Sequence, residues 1–92
     1  MLLITVPSTG ESKLTFSVFE RLGLPAPVGG IDSEINDELL LRFEDEEEAV
    51  IYAAQLENLS TGLDDKSSIA NLAVNDMIMA IYDDEFIQTY LK

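Results

Sequence analysis

The stretch NDELLLRFEDEEEAVIYAAQLENL, Asn36 to Leu59, decides the fold. Leu39, Leu40, Leu41 and Phe43 form a short apolar run between Asn36-Asp37 and Glu44-Asp45. Such a run reads as a strand buried on both faces rather than one facing solvent. A helix follows at once. Asp45 is placed to accept a backbone N–H as N-cap, and Glu48 stands three residues on, where a capping box returns the bond. The acidic first turn suits the positive end of the helix dipole.

Upstream of this pair, Pro25, Pro27, Gly29 and Gly30 make the stretch from Pro25 to Asn36 a connection, with Ile31 and Ile35 available to pin its far end to the core. Before it, Leu14, Val18 and Leu22 share a helical face, although Leu14, Phe16 and Val18 also alternate as a strand would. The ending favours the helix. Arg21-Leu22-Gly23-Leu24-Pro25 supplies a basic last turn, a glycine stop, an apolar residue after it and a proline beyond. A helix over roughly 11–22 is expected, with a hairpin partner for the first strand as the alternative. That first strand is Leu2, Leu3, Ile4 and Val6, ended by Pro7, which lacks a backbone donor.

Downstream, Asn58 to Lys66 is a polar break with Gly62 as the helix C-cap. Ile69, Leu72, Ala73, Val74, Met77, Ile78, Ile81 and Tyr82 give a stripe too wide for a surface helix, so this helix is central to the core or shared with a second subunit. A competing reading makes Met77 to Tyr82 a strand and starts a short last helix at Asp83. Phe86, Ile87, Tyr90 and Leu91 supply an apolar face near the C-terminus that docks the tail. The fold class is α+β, or a small α/β arrangement, in the order β-α-β-α-α. Its sheet is thin, of two or three strands, packed by helices, with the two clear strands able to pair in parallel through the helix between them.

The 92 residues make one small acidic domain over 1–92, enough for a single core but not for two layers around a deep cleft. Apolar content of 47% is that of a folded chain, while eighteen acidic residues face five basic ones and no histidine, for a net charge of −13. This charge repels phosphate backbones and anionic lipid, so direct nucleic-acid binding and membrane-surface binding are both disfavoured. Lack of cysteine and histidine removes disulfides, thiol nucleophiles, His-assisted triads and the usual zinc sites. The opening MLLITV has no basic flank and is short for a signal sequence, and no apolar run approaches a membrane span, so a cytoplasmic location is expected. Asn58-Leu59-Ser60 matches a glycosylation pattern by chance on this reading.

Four features carry candidate chemistry. Ser8-Thr9-Gly10-Glu11-Ser12-Lys13 faintly resembles a P-loop between a strand and a helix, but the leading glycine is missing, Gly10 is separated from Lys13, and Glu11 puts negative charge on the phosphate side. Turn chemistry explains it without a ligand. The run Glu44 to Glu48 caps the helix through Asp45 and Glu48 and leaves Glu44, Glu46 and Glu47 free for a basic partner. Asp64-Asp65 and Asp83-Asp84-Glu85 lack the alternation and central glycine of a calcium loop and read as helix caps, so no metal or other cofactor is implied. Met77, Met79, Tyr82, Phe86 and Tyr90 are core by type and spacing, with Met77, Tyr82, Phe86 and Tyr90 the alternative seam of a homodimer.

The reading that best fits is a non-catalytic interaction or regulatory module offering an acidic face of Asp37, Glu38, Glu44, Glu46 and Glu47 to a basic protein partner. The alternatives are an inhibitor whose carboxylates mimic nucleic-acid phosphates, and a small phosphate binder or enzyme using the 8–13 loop. Asp45→Ala is expected to lower stability by about 1 kcal/mol in denaturant melts, with Glu46→Ala and Glu47→Ala changing it little. Equal losses at all three positions would overturn the capping account.

Overall fold

A computed structural model describes residues 1–6, 14–33, 38–62 and 68–92. Its order is β1 (Leu2–Val6), α1 (Phe16–Leu22), β2 (Ile31–Ser33), β3 (Leu39–Phe43), α2 (Glu46–Thr61), α3 (Ile69–Asp83) and α4 (Glu85–Leu91), an α+β chain. The three strands form one sheet in the order β1-β3-β2, and β3 pairs antiparallel with both neighbours. Leu2 stands opposite Phe43 and Val6 opposite Leu39, while Ile31 stands opposite Leu41.

The parallel pairing of the two clear strands is therefore corrected. β1 and β2 run in the same direction with β3 inserted between them, so the unit that α1 bridges is β1-α1-β2, a split form of the strand-helix-strand motif. The third strand lies in the glycine-rich connection and not in 69–82, which is helical. With one isoleucine in three residues, β2 shows no periodicity; its backbone pairing with β3 is what makes it a strand.

A turn places β2. The Gly30 N–H donates to the Pro27 carbonyl at 3.0 Å, Gly30 takes a positive φ of 92°, and the Arg42 N–H donates to the Gly30 carbonyl at 3.1 Å. Gly29 lies so close to β3 that a Cβ there would stand 2.5 Å from the Arg42 carbonyl oxygen. Backbone approach, not torsion, demands glycine at this position.

Leu39, Leu41 and Phe43 are buried, whereas Leu40 and Arg42 are half-buried. The expectation of a strand buried on both faces thus holds for one face only. β1 alternates likewise, with Leu2, Ile4 and Val6 inward. On the outer face Arg42 makes an ion pair with Asp32, diagonally across the β2–β3 ladder. Both side chains are about 40% exposed, so the pair contributes at most about 1 kcal/mol.

The inner face is covered by α2 and α3. Ala49, Tyr52, Ala53 and Leu56 are buried at the i, i+3, i+4, i+7 spacing of a helix face. From α3, Ala73, Val74, Met77 and Ile81 complete the core, whereas Leu72, Ile78 and Tyr82 of the wide stripe are half-buried and Ile69 is exposed, so half of the stripe is central to the chain's own core. The Tyr52 ring meets Phe43 with centroids 5.6 Å apart, and its hydroxyl donates to the Pro25 carbonyl at 2.7 Å. Asn71, buried at the start of α3, accepts from the Ser60 hydroxyl at 2.6 Å, which ties the end of α2 to the start of α3.

α1 is shorter than the 11–22 span; residues 11–13 lie outside the described set. Leu14 is buried, Thr15 bridges Glu38 in an antiparallel pairing, and the Thr15 hydroxyl then accepts the Val18 N–H at 3.3 Å as N-cap. The strand-like alternation there leaves this single bridge. Gly23 ends the helix at φ 67°, with its N–H donating to the Glu20 carbonyl. Gly62 also caps α2, but at φ −84°, where other residues fit. Asp84 separates α3 from α4 and accepts the Phe86 and Ile87 N–H groups, so the short last helix of the competing reading exists beside an unbroken α3. Of the expected C-terminal apolar face, Ile87 alone is buried.

Gly29→Ala is expected to cost about 2 kcal/mol in urea unfolding, because either the turn or β3 must shift. Gly62→Ala should stay within about 0.5 kcal/mol, since the nearest atom to its Cβ lies 3.6 Å away. Equal losses would mean that the turn does not hold β2 on the sheet.

Candidate acidic interface

The acidic set divides in space. Glu44 follows β3 at one end and Glu38 precedes it at the other, which separates them by roughly 20 Å along an extended chain. Glu38 is half-buried beside its bridge to Thr15, Asp32 is paired with Arg42, and Asp37 lies outside the described residues. The 8–13 loop and Asp64-Asp65 also lie outside them. What remains is Glu44 to Glu48 at the start of α2.

Asp45 takes extended torsions and its Oδ1 accepts the Glu48 N–H at 3.0 Å, so it is committed to the cap. Glu44 and Glu47 are exposed and Glu46 is half-exposed. No basic side chain among the described residues pairs with these three. A helix terminus carries about half a positive charge, which offsets a fraction of five consecutive carboxylates and leaves this end of the molecule negative.

Two shallow clefts adjoin the run. One, of about 230 Å³, is lined by Met1, Leu2, Glu44, Asp45, Glu46 and Phe86. The other, of about 300 Å³, is lined by Met1, Val28, Gly29, Phe43 and Glu44. They share Met1 and Glu44, so the sheet end, the α2 start, the glycine turn and the first turn of α4 meet around one carboxylate. Sequence reasoning found the acids but not Met1 or Val28, whose association with Glu44 needs β1 and the 27–30 turn to be set against β3.

The candidate dimer residues separate too. Met77 is wholly buried in the chain's own core, with its sulfur 3.9 Å from the Tyr52 hydroxyl, and it offers nothing to a second subunit. Tyr82 is half-buried against α2. Burial first, then the Glu57 carboxylate through its charge and hydrogen bond, pushes the Tyr82 hydroxyl above the ordinary tyrosine range. Phe86 and Tyr90 are about half exposed. Among the described residues no three acidic side chains converge as metal ligands, and no helix is long and apolar enough to cross a membrane. Comparison with protein families, curated proteins and solved structures found no match.

Burial also pushes the Tyr52 hydroxyl well above its ordinary value of 10.0. The native state then holds its proton where the unfolded chain releases it. The stabilisation is complete below pH 10 and is lost as pH rises above it, with a slope approaching about 1.4 kcal/mol per pH unit. Tyr52→Phe is expected to lose about 1 kcal/mol at neutral pH through the missing hydrogen bond, and to decline less steeply above pH 10 in urea titrations. Parallel curves for the two proteins would refute this role for Tyr52.

Proposed function

We propose that the chain is a non-catalytic interaction module that presents Glu44, Glu46 and Glu47 to a basic protein partner. The observation that supports this reading is the placement of three carboxylates without basic partners among the described residues at one corner of the fold, on a chain of net charge −13. Such a field speeds the approach of a positive surface and discourages a negative one. Glu38, at the far end of β3, belongs to a different part of the surface.

The test is capture of basic proteins from native lysate at low and high salt. The wild-type chain should retain them at low salt and release them as salt rises. Glu44→Gln with Glu47→Gln should lose this retention, while Glu20→Gln with Glu57→Gln, an equal charge change at exposed sites on α1 and the far turns of α2, should keep it. Equal behaviour of the two double variants would reduce the acidic corner to a solubilising surface.

A further inference from the structure

We propose, building on the acidic-corner reading, that the two clefts around Glu44 form one docking groove for a basic segment carrying apolar anchor side chains. The partner is recognised jointly by charge and by apolar contact. Met1 is 86% exposed, Val28 82% and Phe86 56%, and all three border the clefts that Glu44 joins. Exposed apolar side chains are ordinary when scattered, but here three from different elements gather at one place. Clefts of about 230 and 300 Å³ lie at or below the lower end of small-molecule sites, which run from roughly 300 to 1,000 Å³. They suit single side chains better than a whole ligand.

The chemistry of the occupant follows from the rim. Glu44 borders both clefts, Asp45 and Glu46 border one, and Glu85 precedes Phe86 in the sequence. An anionic lipid or nucleic acid entering this groove meets like charge. A second copy carries the same −13 and is repelled in dilute salt. A segment with lysine or arginine beside leucine-like residues satisfies both parts, its cations at Glu44, Glu46 and Glu47 and its apolar side chains against Met1, Val28 and Phe86.

Fluorescence anisotropy with two labelled peptides tests this. One consists of lysines and leucines; the other has serine in place of each leucine and the same charge. The leucine peptide should bind about tenfold more tightly, the effect expected for one buried anchor. Phe86→Ser, and separately Val28→Ser, should remove most of that advantage and leave the serine peptide unaffected. Both changes fall on exposed positions, and unchanged urea midpoints will verify the fold. Glu44→Gln with Glu47→Gln should weaken both peptides.

Equal binding of the two peptides by the wild-type chain would overturn the groove and leave the acidic corner standing. Failure of both to bind would overturn the two readings together. An advantage for the leucine peptide that survives both serine variants would place apolar contact elsewhere and refute the groove. A dimer by sedimentation that Phe86→Ser dissolves would make this surface a self-interface and refute it as well.

Discussion

The fold depends on the junction between β3 and α2. Phe43 closes the strand, Glu44 and Asp45 turn the chain, and the helix begins at Glu46. A connection of two residues leaves the helix little choice but to lie back on the sheet it has just left. Asp45 fixes the entry by capping, and Tyr52, two turns into the helix, meets Phe43. Because β3 lies between β1 and β2, the position of α2 on β3 sets the position of the whole inner face.

A three-stranded sheet has little area to bury, and this chain makes one face dry while the other stays partly wet. Tyr52 accomplishes much of the closure. It fills the space beside Phe43, bonds the Pro25 carbonyl ahead of the glycine turn, and stands near Met77 of α3. One buried phenol thus links the core strand, the path into β2 and two helices. Alanines at 49 and 53 of α2 and at 73 of α3 are wholly buried in the same core. The buried Asn71 keeps its polar group satisfied through Ser60, so the junction of the two helices carries a directional contact as well as packing.

Charge is distributed by the same geometry. The acids that cap α2 must sit where the helix begins, which is also where β1 starts, where the glycine turn approaches β3, and where α4 opens with Phe86. Capping therefore brings carboxylates to a corner that the turn and α4 furnish with apolar side chains. The local cause is helix initiation, and the consequence is a surface of mixed chemistry. Arg42 does not neutralise it, since the guanidinium is engaged by Asp32 on the outer face of the sheet.

The sequence by itself determined the elements whose cause is local. The apolar run at 39–43, the Asp45 cap and the Gly23 stop with its positive φ rest on spacing and on single-residue conformational preferences, which act wherever the chain lies. It also determined the charge and the absence of cysteine and histidine chemistry. Tertiary structure alone decided the strand pairing, because antiparallel and parallel partners present the same periodicity. It also decided β2, whose three residues carry no periodicity of their own and become a strand only through hydrogen bonds to β3. The candidate site divides in the same way. Glu44, Glu46 and Glu47 were legible as the unused part of a capping run, whereas the separation of Glu38 follows from the length and direction of β3. The burial of Met77 and the exposure of Phe86 follow from which face of α3 meets β1 and which face of α4 meets α2 and α3. That choice is a property of packing between elements distant in sequence, and no local pattern encodes it.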